Sequence, residues 1–421
     1  MENFEYREGL RGRELFVENV SLSDIAERFG TPSYVYSRAI LVARYRAFAA
    51  AVGEALVCYS LKANDNLAVV CCLGREGAGA DIVSGGELRR ALAAGIAPSK
   101  IVFAGVGKTA EEIADGLDAD IGQFNVESEA ELELIAELAA ARSLRAPVAL
   151  RVNPDVDAKT HDKISTGRAQ DKFGISFDRA EALYAHAGSM ASINMTGLAI
   201  HIGSQLTSIA PFEAAFSRLG ELCRRLRLAG LSVSRIDLGG GLGIAYNNGS
   251  APQLMKYGDL VRRTARELDA KVTLEPGRWL AGPAGLLLSR VIRIKQIGNK
   301  HFAIVDMAMN DLLRPALYGA WHEVQSVRPR PGGKAPVDIV GPICESGDVI
   351  APERTMPELR AGDLIAVRDS GAYGSVMSSN YNSRLSAAEV MVRGGDIALI
   401  RPRLNYDTLL ARDAVPDWFD E

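Results

Sequence analysis

Lys62 stands in CYSLKAND (58–65), where the apolar run Leu56-Val57-Cys58-Tyr59 gives way to polar residues. Such a lysine is either a solvated amine at a strand end or an amine delivered into a pocket, where a lowered pKa makes it a nucleophile. The octapeptide alone favours the first reading, so the other reactive residues must decide. His201 lies in a second apolar run, GLAIHI (197–202), just ahead of Gly203 and Ser204. A third run leads into Leu238-Gly239-Gly240-Gly241-Leu242-Gly243, whose glycines let backbone N–H groups approach a phosphate; a tight turn explains them about as well. Glu275-Pro276-Gly277-Arg278 sets a carboxylate and a guanidinium on one short turn, which also suits a structural ion pair. Cys344 sits in the polar stretch Pro-Ile-Cys-Glu-Ser-Gly-Asp, a setting for a reactive thiol. Cys71, Cys72 and Cys223 lie in apolar or helical runs and read as filler, the usual role of a free cysteine.

These residues need a scaffold that brings strand ends together. Short apolar runs recur at VCYS (57–60), ADIV (80–83), IVFA (101–104), IGQF (121–124), VALRV (148–152), GLAIHI (197–202), RIDLG (235–239) and KVTLE (271–275). Helix-like stretches separate them, such as SGGELRRALAAG (84–95) and SEAELELIAELAAARS (128–143); the latter opens on the Ser-x-x-Glu of a capping box. Alternating strands and helices imply βαβ units and a parallel sheet, and eight runs match a (β/α)8 barrel. IGQF is weak as a strand, which leaves an open doubly wound sheet as the rival. After about residue 285 the helical pattern fades into alternating strands such as VIRIKQIG, HFAIVDMA and DLIAVRD. A mainly antiparallel β-barrel domain is expected there, joined by the early strand PSYVYS (32–37). The divisions expected are 1–37, 38–283 and 284–421. RPRPGGKAP (328–336) reads as an exposed hairpin loop.

At 421 residues the chain exceeds one ordinary compact domain. A net charge of −4 with few aromatic residues gives no reason to expect nucleic-acid binding. No apolar run is long enough to span a bilayer, and the opening MENFEYREGLRGRELF lacks an apolar signal core, so a cytoplasmic location and no membrane partner are expected. Five cysteines without a CxxC spacing argue against disulfides and against a zinc site.

In a barrel the strand ends share one mouth. Lys62, His201, Gly240, Glu275 and Arg278 then face the same space. An amine, a phosphate cradle, an acid and a flat imidazole together meet the needs of pyridoxal phosphate (PLP). Lys62 becomes the Schiff-base lysine, Glu275 the partner of the pyridine nitrogen, and His201 a group that stacks on the ring.

The chain resembles the fold-type III, barrel-based PLP-dependent decarboxylases along nearly its whole length. The resemblance rests on YSLKAND (59–65), DIVSGGEL (81–88), RVNPDVDAKTHDKISTG (151–167), DKFGI (171–175), HIGSQ (201–205), DLGGGLG (237–243), LEPGR (274–278), MNDLLRPALYGAWH (309–322), CESGD (344–348) and DSGAYG (369–374). It implies an alanine-racemase-like barrel, a C-terminal β-barrel domain and a head-to-tail homodimer with shared active sites. By residue it implies that Lys62 carries PLP and His201 stacks on its ring. Ser204, Gly240, Gly241, Arg278 and Tyr373 belong to the phosphate region, Gly277 is among the cofactor-binding positions, Glu275 meets the pyridine nitrogen, and Asp81 lies beside the cofactor. Arg278, Arg314, Tyr318, Glu345 and Tyr373 match substrate contacts, and Cys344 matches a proton donor entering with Glu345 from the neighbouring subunit. The expected reaction is decarboxylation of meso-2,6-diaminopimelate to L-lysine and CO2, the last step of lysine biosynthesis. Such a substrate carries a carboxylate and an ammonium at its far end, for which Arg314 with Arg278, and Glu345, have the right charges. The plain readings are a surface arginine and a solvated loop acid, although Pro315 after Arg314 suggests a fixed turn. The loop 161–174 reads as a lid or as a plain solvated connection. Rival readings are an ornithine, arginine or carboxynorspermidine decarboxylase, or an inactive regulatory homologue. The ornithine and arginine enzymes typically carry CDG where this chain has CESGD, and retention of Lys62 and Cys344 argues against the inactive homologue.

Overall fold

The computed structural model describes residues 4–9, 12–157, 166–167, 170–247, 249 and 252–419. Contacts divide the chain into two units, Leu41–Gly282, and Met1–Ile40 together with Pro283–Glu421.

The first unit is built on eight parallel strands: β1 (Leu56–Ser60), β2 (Gly79–Ile82), β3 (Ile101–Phe103), β4 (Gln123–Val126), β5 (Ala146–Asn153), β6 (Ile193–Ala199), β7 (Arg235–Asp237) and β8 (Lys271–Leu274). Each pairs with the next, and β8 pairs back onto β1 through Thr273↔Leu56 and Leu274↔Val57, so the sheet closes into an α/β barrel. Every apolar run read from the sequence overlaps one of these strands, the weak IGQF included, and the closing pair rules out the open sheet. The strands are almost uniformly buried because helices such as Leu67–Arg75, Gly85–Ala93, Glu129–Ala141 and Ala210–Leu228 return the chain between them.

Capping departs from the sequence reading. Ser128 accepts from the Glu131 N–H at 3.2 Å, but the Glu131 carboxylate goes to the Glu127 N–H (2.9 Å) and the Lys108 ammonium (2.6 Å) rather than back to the cap. A buried ammonium is the stronger partner, so the expected box is only half made. The complete box is at Thr109 and Glu112, opening the helix Ala110–Asp118.

The second unit is a β domain with a mixed sheet. The early strand Ser33–Ser37 lies antiparallel to Gly285–Ile297 and parallel to Ala388–Arg393. Tyr34 and Tyr36 enter one apolar cluster with Leu287, while Val35 enters another with Leu286 and Leu288. Both faces of this part of the sheet are therefore buried, each by alternate residues. A second parallel pairing joins Lys300–Val305 to Lys334–Val340. The pairing path runs from Val349–Pro357 to Asp396–Arg401, and among the described residues no pairing joins those two ends. The expected antiparallel barrel is thus found as a mixed sheet. A strand supplied from a distant part of the chain is free of the hairpin that forces antiparallel order. Residues 328–333 also do not form a hairpin. They link Val324–Ser326 to Lys334–Val340, which pair with other strands, and Lys334-Ala335-Pro336 already belong to the second of these. Pro336 is tolerated because Lys300–Val305 pairs only with Asp338 onward, leaving an open edge beside it.

Candidate active site

β1 runs buried to Ser60 and passes into a single turn, Leu61–Ala63. Leu61 and Ala63 are buried and pin this turn, which leaves the Lys62 side chain 35% exposed between them. Asp81 sits on β2 directly opposite Ser60 in the sheet register. Its Oδ2 accepts from the Ser60 hydroxyl at 2.7 Å and from the Lys62 ammonium at 3.1 Å. Asp81 has no exposed surface, and among the described residues its buried Oδ1 has no hydrogen-bond partner. The amine is therefore held beside a buried acid with acceptor capacity to spare.

Glu275 follows β8 directly and is buried. Its N–H donates to the Gly239 carbonyl at 2.8 Å, which ties the end of β8 to the glycine run after β7. One hydrogen of the Asn125 amide reaches Glu275 Oε1 (3.2 Å), and the other reaches Asp237 Oδ2 (3.0 Å). Burial, then the Asp237 and Asp81 charges, hold the Glu275 carboxyl well above its ordinary range. Burial also raises Asp237, to about 6.

Gly240 comes so close to the Glu275 carbonyl that a Cβ there would sit 2.1 Å from it, and Gly241 takes a φ of +98° that disfavours any side chain. The Gly240 N–H donates to His201 Nδ1 at 3.2 Å. That ring nitrogen accepts, so the neutral ring carries its proton on Nε2. Burial, helped by the positive charges of Lys62 and Arg151, holds His201 well below its ordinary pKa, which keeps the ring neutral. Gly277 caps the short helix Arg278–Ala281, accepting from Leu280 and Ala281 N–H. Arg278 is buried and donates to the Ser204 hydroxyl at 3.1 Å and to the Tyr246 hydroxyl at 3.0 Å. A guanidinium, a hydroxyl and side-chain-free backbone thus gather at the ends of β6, β7 and β8. Of the loop 161–174, residues 161–165 and 168–169 lie outside the described residues. Thr166 donates to the His201 carbonyl at 3.1 Å, and the Gly174 N–H donates to Glu127 at 2.8 Å.

The remaining candidates belong to the β domain. Arg314 opens the helix Arg314–Tyr318, with Pro315 in its first turn and Tyr318 at its end. Arg314 is buried, and its Nη1 lies 2.5 Å from His322 Nε2. His322 Nδ1 donates to the Arg368 carbonyl at 2.8 Å, so Nε2 is the acceptor for the arginine. Cys344 and Glu345 are exposed on one loop. Asp348 shapes that loop by accepting from the Ile343 N–H (2.8 Å) and the Met309 N–H (2.7 Å). Asn382 Oδ1 accepts from the Cys344 N–H at 3.1 Å, and the Tyr381 hydroxyl donates to Glu345 at 3.1 Å. Tyr373 is half-buried on a left-handed turn with a φ of 56°.

Sequence reasoning missed Asn125, Asp237, His322 and Asp348. Three of them stand at the ends of quoted motifs, Asp237 in DLGGGLG, His322 in MNDLLRPALYGAWH and Asp348 in CESGD. Gln123 and Asn125 are two amides on one face of β4, a polar signal inside an otherwise apolar barrel.

A donor set of this kind fits PLP: a half-exposed amine beside an orphaned acceptor, a buried acid, a neutral imidazole, and a guanidinium with a hydroxyl. Among the described residues there is no group of His, Cys, Asp and Glu that could hold a metal ion, and no helix long and apolar enough to cross a membrane. Residues 38–282 match the family model described as pyridoxal-dependent decarboxylase, pyridoxal binding domain. Diaminopimelate decarboxylase of Pseudomonas aeruginosa is 50% identical over 99% of each chain. The solved diaminopimelate decarboxylase of M. jannaschii in co-complex with L-lysine is 37% identical and covers 99% of this chain and 98% of its own, with a TM-score of 0.93. The Helicobacter pylori diaminopimelate decarboxylase complexed with L-lysine is 38% identical, covers 93% of this chain and 98% of its own, and has a TM-score of 0.90. The chain belongs to the fold-type III pyridoxal-dependent decarboxylases with an alanine-racemase-like barrel and, within them, to the diaminopimelate decarboxylase family.

Proposed function

We propose that the chain decarboxylates meso-2,6-diaminopimelate to L-lysine and CO2 with pyridoxal phosphate, acting as a homodimer whose sites are shared between subunits. The observation that carries this reading is the Lys62 amine, half-exposed and held at 3.1 Å by the enclosed Asp81, among the same strand ends that carry Glu275 and the Arg278–Ser204 pair. Bound there, the cofactor supplies an electron sink for the electron pair left behind when a carboxylate departs.

The protein's own residues do the rest. Lys62 offers the amine for the Schiff base, and Asp81 orients it. Glu275 faces the pyridine nitrogen. His201 lies on the ring face and, being neutral, adds no charge to oppose the pyridinium. Ser204, Gly240, Gly241, Arg278 and Tyr373 receive the phosphate, and Gly277 lines the cofactor. Arg314, with Arg278, forks the distal carboxylate, Glu345 pairs with the distal ammonium, and Tyr318 and Tyr373 complete the substrate contacts. Cys344, entering from the partner subunit, returns a proton to the carbon that loses CO2. A lysine or ornithine substrate lacks the distal carboxylate, so it forgoes the charge-assisted contact that the arginines would make to it.

CO2 release from a panel of amino acids tests the assignment. Meso-diaminopimelate is expected to be strongly preferred over lysine and ornithine. Arg314→Lys and Glu345→Gln should each erode that preference by roughly tenfold or more. Faster turnover of ornithine than of meso-diaminopimelate by the unaltered protein overturns the reading.

A further inference from the structure

We propose that Asp237 is a positioning residue that stores a proton on Glu275, so that the acid facing the cofactor's ring nitrogen enters cofactor binding already protonated. The inference rests on the reading of Glu275 as that acid. It begins with enclosure: Glu275, Asp237, Asn125 and Gln123 are all buried inside the barrel. Two carboxyls that share the Asn125 amide in a dry site repel when both are charged, so in the absence of the cofactor's positive ring one of them keeps a proton.

The donors decide which one. Asp237 Oδ1 accepts from the Gly239 N–H at 2.9 Å, and its Oδ2 accepts from Asn125 at 3.0 Å. Among the described residues Glu275 receives one side-chain donor, Asn125, at 3.2 Å. Gln123 orients Asn125: its Nε2 donates to Asn125 Oδ1 at 2.8 Å and also points toward Asp237 Oδ2 at 3.5 Å. Both Asn125 hydrogens are therefore aimed at the acids. Donors stabilise charge, so the charge settles on Asp237 and the proton on Glu275, which hydrogen-bonds to its neighbour. The other groups facing the pair leave this order intact. Asp81 raises both acids, and the Lys62 ammonium lowers Glu275 by less than Asp237 and Asp81 raise it. Cys58 and Tyr257, which also feel these acids, are themselves pushed up and stay neutral.

The proton balance follows. Before cofactor binds, the pair holds one proton and one negative charge. On binding, Glu275 gives its proton to the ring nitrogen, or to solvent if that nitrogen arrives protonated. Either way the pair ends with both carboxylates ionised, facing a protonated ring.

Infrared spectra of the cofactor-free full chain across about pH 6 to 9 read the proton directly. Burial also raises Asp311 and Glu87, each to about 7, so the signal is read as a difference: a buried protonated carboxyl band present in the unaltered protein and missing from Glu275→Gln. In Asp237→Asn the band should vanish at least about one pH unit lower, a tenfold weaker hold on the proton. A difference spectrum with no carboxyl band overturns the proposal, as does an Asp237→Asn protein whose Glu275 band titrates like that of the unaltered one. If Asp237→Asn fails to fold, the Glu275→Gln comparison still decides whether Glu275 holds the proton. Calorimetry of cofactor binding in buffers of different ionisation enthalpy then counts protons, and the unaltered protein should release more of them than Asp237→Asn. Agreement in the infrared with no difference in the proton count would retain the stored proton and refute the contact between Glu275 and the ring.

Discussion

Asp81 is fully enclosed while the Lys62 side chain keeps 35% exposure, so their ion pair is anchored at one end and open at the other. The partial exposure of the amine leaves it accessible to a carbonyl. Borohydride reduction of the loaded protein should therefore trap the cofactor on the peptide containing Lys62, and Lys62→Ala should lose the adduct. An adduct mapped to another lysine would sink the assignment. Lys62→Ala has a second expected effect that does not depend on the cofactor. Among the described residues it leaves the buried Asp81 charge with the Ser60 hydroxyl alone, a loss of about 1–3 kcal/mol in denaturant unfolding of the cofactor-free chain. Adding Asp81→Asn should restore most of that stability while leaving the adduct absent. Equal stability of all three proteins would mean that the ion pair has no structural weight.

The barrel was legible in the sequence because each strand is a short apolar run bounded by helix caps, and burial on both faces leaves that signature without reference to any partner strand. The closure of β8 onto β1 was not legible, since the pairing Thr273↔Leu56 joins positions far apart in the chain. The same limit applied inside the site. Lys62, His201, Glu275 and Arg278 could be picked out because each follows a strand, whereas Asn125 and Asp237 meet across 112 residues of sequence. The half-made box at Ser128 failed for a related reason: Lys108 competes from 23 residues away for the Glu131 carboxylate. In the β domain, the loop bearing Cys344 and Glu345 was visible as a motif, but its support was not. Asp348 accepts from both Ile343 and Met309 N–H, and so fastens that loop to a distant segment. Asp348→Ala leaves both donors without this acceptor and should cost about 2–4 kcal/mol. CO2 release should fall with it, because Cys344 is no longer held in place. Asp348→Asn keeps one acceptor oxygen and should fall in between. Denaturant unfolding and turnover that match the unaltered protein in Asp348→Ala would show that the loop is held by other means.

Lys62 belongs to the unit Leu41–Gly282, and Cys344 to the unit that combines Met1–Ile40 with Pro283–Glu421. Under the shared-site proposal these two residues meet only across a subunit boundary, so no single chain holds a complete site. A Lys62→Ala chain is expected to be inactive because it cannot hold the cofactor covalently, and a Cys344→Ala chain severely impaired because it lacks the proton donor. Dissociated, mixed and reassociated, the two should form heterodimers. In each heterodimer one site combines the barrel of the Lys62→Ala chain with the β-domain loop of the Cys344→Ala chain, and carries both lesions. The opposite site takes intact Lys62 and intact Cys344, and carries neither. Random pairing makes about half of the dimers mixed, so about a quarter of all sites should be intact under a twofold interface. CO2 release from the mixture should therefore rise to about a quarter of that of the unaltered protein, after neither mutant alone approaches it. Mass-verified heterodimers with no recovery would instead assign Cys344 to the same chain as the Lys62 it serves, and the shared site would be wrong.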